Sequence, residues 1–329
     1  MKTIRWGIIG TGDVTEVKSG PGFQQANNSE LVAVMRRNGD LARDYAERHN
    51  VPRWYDDAQA LINDPEVDAV YIATPPHVHK EYTLAVAAAG KPVYCEKPMA
   101  MTLAECEEMI AACGTVGVPL WVAYYRRSLD KFVKIKELLD ANEIGDVHMV
   151  DVRLQFPPFV GNADDVPWRF DPSIGGGGRF VDMGSHTLDI LDYFFGPILA
   201  VSGCAINTNP IYAAEDNVTA TFTLGNGAVG SGAWSFTSQA QKLDRTILYG
   251  TKGTITFSSF DDTPATIERN GKTESFGEPF PAHVQQPFIQ TIVDEMNGDG
   301  RCPSDGKSAA RTTKVIDQIL ESFRNVAFL

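Results

Sequence analysis

From Ile4 to Ala123 the chain alternates short apolar runs with helix-like segments, and this alternation limits the fold more than any other feature. Ile4–Gly10, Leu31–Met35, Ala69–Ala73, Val93–Cys95 and Pro119–Ala123 read as strands. Leu41–His49, Tyr55–Ile62, Glu81–Ala89 and Thr102–Cys113 read as helices. Strands that alternate with helices pair in parallel, with helices covering both faces of the sheet. The expectation is a doubly wound parallel sheet that closes near Ala123.

The ligand crevice of such a sheet lies at the carboxyl ends of its strands. The first strand runs into Gly10-Thr11-Gly12-Asp13-Val14-Thr15. Gly10 permits the tight turn and Gly12 lets a pyrophosphate approach the backbone. The next helix then offers N–H groups and a positive dipole end to that anion. Thr15 is bulkier than the Gly or Ala usual in the third small position, and an ordinary strand–helix turn is the other reading. Ser19-Gly20-Pro21-Gly22 must break or kink the following helix. The second strand ends in Arg36-Arg37-Asn38, where a Rossmann site that prefers NAD places an acid on the ribose 2′-hydroxyl. Two guanidiniums suit a 2′-phosphate, so NADP is the expected cofactor, with NAD as the alternative. Asp40 is expected to cap the next helix.

Ala73, Thr74 and Pro75 occupy the next carboxyl edge and are expected to line the nicotinamide side, with His79 capping a helix or touching the cofactor. His77 and His79 have no third ligand at metal-binding spacing, so no metal is expected. Gly90 stops a helix and Pro92 blocks its continuation. Val93–Cys95 suits a strand buried on both faces. Glu96 and Lys97 follow at its carboxyl end, where a lysine can point at a substrate. A solvated Glu-Lys pair before a turn is the competing reading.

Past Ala123 the pattern changes. Tyr124-Tyr125-Arg126-Arg127 begins a crossover, Asp130–Leu139 reads as a helix, and Val147–Phe156 as a long strand. Ile198–Ile206, Asn217–Leu224, Ala228–Phe236, Arg245–Gly250, Thr254–Phe257 and Ala265–Glu268 read as further strands, with Gly225-Asn226-Gly227 a hairpin turn. Val284–Asn297 and Ser308–Phe323 close the chain as helices. The expected fold is therefore α/β: an N-terminal Rossmann doubly wound parallel sheet over 1–123, then a C-terminal α+β domain over 124–329 with a large, mostly antiparallel open sheet. Trp168-Arg169 precedes the run Gly175–Gly178, which is no P-loop because no Gly-Lys-Ser/Thr follows. The run reads as a flexible loop opening a helix from about Val181 to Phe195. Asp182 and His186 are four apart and share a helix face. An aspartate one turn before a histidine orients the imidazole and favours its charged form. A purely structural Asp–His pair is the alternative.

Composition excludes several classes. Among the 329 residues the formal net charge is −13, which argues against nucleic acid or an anionic membrane as partner. No apolar run is long enough to span a bilayer. Met1-Lys2-Thr3 runs directly into a strand, with no signal-peptide pattern, so a cytoplasmic location is expected. The five cysteines are scattered without a Cys-x-x-Cys pair and read as reduced thiols.

Together Gly7–Val14, Ala73-Thr74-Pro75 with His79, Ala89–Pro98 with its Glu-Lys-Pro, Trp168-Arg169 and Gly175–Asp189 resemble the glucose–fructose oxidoreductase / inositol dehydrogenase (Gfo/Idh/MocA) family over nearly the whole chain. The resemblance implies reversible hydride transfer between nicotinamide and a secondary alcohol of a sugar, cyclitol or related diol. It places the family's substrate-site lysine and Asp-x-x-x-His pair on Lys97, Asp182 and His186. His186 is then the general base or acid, oriented by Asp182. Lys97 stabilises alkoxide character. Expected cofactor contacts are Gly10, Thr11, Gly12, Asp13, Val14, Arg36, Arg37, Ala73, Thr74, Pro75, His79, Glu96, Lys97, Arg126, Trp168 and Arg169. Tyr125 joins Lys97, Asp182 and His186 on the substrate. A neutral pyranose or cyclitol is favoured, with a trans-dihydrodiol as alternative. A glycosidase that uses nicotinamide transiently and a non-catalytic NADP-binding sensor remain as other classes. The open sheet is expected to pair subunits into a homodimer or homotetramer.

Overall fold

The computed structural model describes residues 1–162, 165–239 and 242–326. Packing divides the chain into two compact units, Met1–Leu129 with Pro281–Ala310, and Asp130–Phe280 with the chain from Arg311 onward. This differs from the expected division at Ala123, because a late segment of the chain returns to the first unit. Hydrogen bonds explain the return: Trp121 Nε1 donates to Glu295 Oε2 at 3.1 Å, and Tyr94 Oη donates to Gln285 Oε1 at 2.7 Å.

The first unit holds a six-stranded parallel sheet in the order β3-β2-β1-β4-β5-β6. Its strands are β1 (Ile4–Ile9), β2 (Ser29–Met35), β3 (Arg53–Tyr55), β4 (Ala69–Ile72), β5 (Val93–Cys95) and β6 (Leu120–Val122). Every residue of β4 and β5 is buried, as apolar strands covered on both faces require. The three-residue β3 was not foreseen, since Arg53-Trp54-Tyr55 is too short to show a period. Strand order reverses between β1 and β4, which sets the crevice at their carboxyl ends.

The first helix is broken as expected, into Asp13–Val17 and Gly20–Gln25. A Cβ on Gly20 would lie 2.2 Å from the Tyr45 hydroxyl and 2.3 Å from the Thr15 carbonyl, so only glycine fits there. The break frees carbonyls that the returning segment takes up. His283 Nδ1 donates to Val17 O at 2.6 Å, and the Gln285 N–H donates to Lys18 O at 3.1 Å. Helix Gly39–Arg48 is capped by Asn38, whose side chain accepts from the Leu41 N–H at 3.1 Å. Asp40 lies inside the first turn and complements the dipole instead of capping.

The second unit holds an eight-stranded sheet in the order β14-β13-β12-β11-β7-β10-β9-β8. Its strands are β7 (Val147–Gln155), β8 (Ala200–Ile206), β9 (Asn217–Thr223), β10 (Val229–Ser235), β11 (Leu243–Gly250), β12 (Gly253–Phe257), β13 (Ala265–Arg269) and β14 (Lys272–Phe276). Among the described strands of this sheet only β7 and β10 pair in parallel. The unforeseen β14 is an edge strand whose Lys272 and Glu274 are exposed, a composition that blunts an edge but shows no apolar alternation. Alternate residues of β7, among them Val150, Val152 and Leu154, point into the core. Helix Ser185–Phe195 covers that face, where Trp234 Nε1 donates to Thr187 Oγ1 at 3.0 Å.

Candidate active site

In the first unit the glycine turn and the Thr74 loop meet at the reversal point. A Cβ on Gly10 would lie 2.9 Å from Thr74 Cγ2 and 3.0 Å from the Ala73 carbonyl oxygen, and the φ of +96° at Gly10 also calls for glycine. Thr15 does not loosen the turn. Its hydroxyl accepts from the Gly12 N–H at 3.0 Å and donates to Gly12 O at 2.8 Å. Helix Asp13–Val17 has only five residues, so its dipole is short and it carries acidic Asp13 and Glu16. A dinucleotide nonetheless fits the chemistry of this edge. No atom lies within 4 Å of a Cβ placed on Gly12, and the buried hydroxyls of Thr11 and Thr74 have no hydrogen-bond partner among the described residues. Arg36 and Arg37 are exposed just past β2, and Pro75 precedes a short turn that leads into helix His79–Ala88.

His79 and Glu96, both expected cofactor contacts, are tied into the protein by buried hydrogen bonds. His79 is fully buried, with Nε2 2.7 Å from Thr74 O and Nδ1 3.0 Å from Pro98 O. Both ring nitrogens are thus occupied by backbone carbonyls, and the ring fastens the Thr74 loop to the turn after Lys97. Burial pushes its pKa down, which favours the neutral ring, while the carbonyls at both nitrogens pull the other way. Glu96 is buried as well. Its Oε1 accepts from Tyr71 Oη and Gln285 Nε2, both at 2.6 Å, and its Oε2 accepts from the Lys97 N–H at 3.0 Å. Burial, followed by the Glu96 charge, holds the Tyr71 and Tyr94 phenols well above their usual range, so both remain donors. Lys97 itself is half-buried at the end of β5, before a cis bond to Pro98. Tyr125 and Arg126 lie in the turn Tyr125–Ser128, both largely buried, with the guanidinium 5.0 Å from the Tyr125 ring.

In the second unit Asp182 and His186 lie on consecutive turns, but the first is a π-helical turn, Phe180–Gly184, ahead of the α-helix Ser185–Phe195. Such turns concentrate at functional sites. The α-helix expected from Val181 therefore starts four residues later. His186 is 4% exposed and meets the Phe260 ring edge-on, centroids 5.9 Å apart. Phe260 sits on a turn held from two sides. Asp244 accepts from the N–H groups of Ser259, Phe260 and Asp261, while the buried Lys131 ammonium donates to the carbonyls of Asp261 and Thr263 at 2.8 and 3.0 Å. Phe156 and Phe236 continue the aromatic surface, and Arg179 lies over both rings. Burial lowers the Arg179 pKa, while the Asp182 charge opposes that shift. Trp168 and Arg169 stack at 4.5 Å, and their carbonyls lie 3.5 Å from where a Gly175 Cβ would be, which brings them to the glycine run.

The glycine run itself is not loose. Glu215 Oε1 accepts from the Gly178 N–H at 2.8 Å and the Val181 N–H at 3.3 Å, and Arg324 Nη2 donates to Gly176 O at 3.0 Å. Glu215, Phe260, Arg179 and Gln285 escaped the reading of the sequence. The paired Gly177 and Gly178 were the available signal, since adjacent glycines mark close backbone approach. Among the described residues no group of three or more His, Cys, Asp or Glu side chains could hold a metal ion, and no helix is long and apolar enough to cross a membrane.

The doubly wound parallel sheet, with a glycine turn at its reversal point, is a dinucleotide-binding fold. Residues 4–124 match the family model "Oxidoreductase family, NAD-binding Rossmann fold", and residues 132–256 match the GFO/IDH/MocA C-terminal domain. The chain belongs to the Gfo/Idh/MocA family of oxidoreductases. It is 39% identical over 316 residues to Oxidoreductase P35 of Formosa agariphila, covering 95% of this chain and 97% of that protein. It is 28% identical over 285 residues to trans-1,2-dihydrobenzene-1,2-diol dehydrogenase of Xenopus laevis, covering 86% and 83%. Among solved structures, aldose-aldose oxidoreductase from Caulobacter crescentus, complexed with glycerol, superposes with a TM-score of 0.85 at 25% identity, covering 99% and 98%.

Proposed function

We propose that the protein is a nicotinamide-dependent dehydrogenase or reductase for a secondary alcohol or ketone of a sugar, cyclitol or related diol, with NADP preferred over NAD. The observation that carries this reading is the fastened lysine. Lys97 lies two residues past β5, at the same carboxyl edge as the glycine turn, and a buried carboxylate holds its backbone N–H. A bound nicotinamide dinucleotide supplies the hydride chemistry. Gly10, Thr11, Gly12, Asp13 and Val14 hold the pyrophosphate end, Ala73, Thr74 and Pro75 line the nicotinamide end, and Arg36 and Arg37 take the 2′-phosphate. Arg126, Trp168 and Arg169 are further cofactor contacts. Lys97 hydrogen-bonds the reacting oxygen and stabilises its alkoxide character. His186 takes the hydroxyl proton on oxidation and returns it on reduction, with Asp182 orienting the ring. Tyr125 contacts the substrate.

A diol with an apolar ring is the second reading of the substrate. The Phe156, Phe236 and Phe260 rings beside His186 favour it, and a relative at 28% identity is named for such a diol. The open face of the large sheet, where Met149, Ile206 and Val229 are exposed, supports pairing into a homodimer or homotetramer, which light scattering on the purified protein would check. The function is tested by fluorescence titration with NADPH and NADH, then by turnover on a panel of pyranoses, cyclitols and trans-diols read at the nicotinamide absorbance. Tight NADPH binding with turnover of one class is the expected result. Binding of neither cofactor overturns the reading.

A further inference from the structure

Glu215 lies on the connection between β8 and β9 and is 2% exposed. The next residue fixes its base. Asp216 accepts from the Thr208 N–H, the Thr208 hydroxyl, the Asn209 N–H and the Asn217 amide, all within 3.1 Å. From this fixed base the carboxyl reaches the glycine run, where Oε1 takes the Gly178 and Val181 N–H groups at 2.8 and 3.3 Å. It also fills the space that side chains would need there. A Cβ on Gly177 would lie 3.0 Å from Oε2, and one on Gly178 would lie 2.4 Å from the Glu215 carbonyl oxygen. Arg324, itself paired with Asp317 at 2.7 Å, holds the Gly176 carbonyl. Val181 is the residue before Asp182, and the same π-helical turn leads into the helix of His186.

We propose that Glu215 is the positioning residue of the Asp182–His186 pair, setting through two backbone N–H groups where their shared helix begins. The proposal rests on that pair being the proton-handling pair. Burying a carboxyl costs several kcal/mol unless it is well bonded, so a turn that merely needed closing would not require one. Burial raises the Glu215 pKa to about 7, against the opposing pull of the bound N–H groups and of Arg324. Of the described titratable groups, Tyr212 interacts with it electrostatically, Asp216 is the next residue on its own connection, and Arg179 and Asp182 lie on the segment it holds. Protonated, the carboxyl still accepts both N–H bonds through its carbonyl oxygen. Ionised, it is drawn toward water, so the anchor loosens as pH rises through neutrality.

The test uses the full chain without substrate. Amide exchange of residues 178–186, corrected for intrinsic rates, is followed from pH 6 to pH 8.5 together with the His186 ring ¹⁵N signals. In the unaltered protein protection should fall with rising pH, and the His186 signals should carry the loosening of the turn on top of the ring's own titration. Glu215→Gln keeps the acceptor oxygen and cannot ionise, so its protection should stay constant and its His186 titration curve should differ from that of the unaltered protein. Glu215→Leu should exchange about 10- to 100-fold faster in this segment at every pH. Unchanged protection in Glu215→Leu, or protection that still falls with pH and an identical His186 titration curve in Glu215→Gln, overturns the proposal. Failure of the catalytic reading would show separately, as normal turnover by His186→Ala.

Discussion

Two backbone turns, one in each unit, are fastened by a buried carboxyl group that accepts backbone N–H bonds, yet the two anchors are built from different material. Glu96 holds the Lys97 N–H with one oxygen while a phenol and an amide, Tyr71 and Gln285, bond the other. Glu215 holds Gly178 and Val181 with backbone donors alone, and the Arg324 guanidinium acts on the same run through the Gly176 carbonyl. Neutral side-chain donors come with the first anchor and are missing from the bonds described for the second. The difference teaches that the lysine turn depends on the chain's late return, whereas the turn before His186 depends on a single carboxyl whose burial raises its pKa.

The largest effects expected come from the side chains that these anchors serve. Lys97→Ala and His186→Ala should each lower turnover by about 100- to 10,000-fold, with circular dichroism unchanged. Near-normal turnover in both folded variants would leave the anchors holding nothing catalytic. Next comes the pH arm of the comparison. The Glu215 pKa is raised from 4.5 to about 7 in the folded chain, so its contribution to stability is complete below the unfolded value and is lost as pH rises through the folded one. The loss amounts to about 3 kcal/mol at most. Urea unfolding between pH 5 and pH 8 should show Glu215→Gln with the shallower decline, and equal slopes would remove Glu215 as the titrating group. On the other side, Gln285→Leu strands the Tyr94 hydroxyl and one bond of Glu96, for a loss of about 2 kcal/mol. A loss too small to measure would mean the Lys97 turn stands without the return. Smaller still, replacing Arg36 and Arg37 together with alanine should cut NADPH-over-NADH discrimination about 10-fold by direct titration. Thr15→Ala should cost about 0.5–1 kcal/mol, read as a lower thermal midpoint, because it removes the reciprocal bonds to Gly12.

The two anchors also mark how far the sequence could be read. Most strands of both sheets were legible because they declare themselves by periodicity and by the turns between them, while β3 is too short and β14 too polar to do so. The Lys97 anchor was half legible: Glu96 adjoins Lys97 in the chain and drew attention with it, but Gln285 arrives from far downstream with no periodicity to announce it. His79 drew attention as a helix cap or cofactor contact, and only its burial against two carbonyls showed it to be a fastener. The Glu215 anchor was illegible, since a Glu-Asp pair ahead of a strand resembles any solvated loop and its partners are backbone groups without identity. The glycine run looked free for the same reason. Glycines give a chain freedom in isolation, and what they provided here was room for another residue.

The return of residues 281–310 also sets a timetable for synthesis. Glu96 and Gln285 are 189 residues apart, so at ordinary translation speeds the ribosome needs roughly 10 to 40 s to deliver the second after the first. Through that interval the nascent cofactor-binding half carries an unfinished core, with Tyr71, Tyr94 and Glu96 lacking their amide partner. The half of the protein that begins first is completed nearly last, and a chain cut off before Pro281 would release it unfinished.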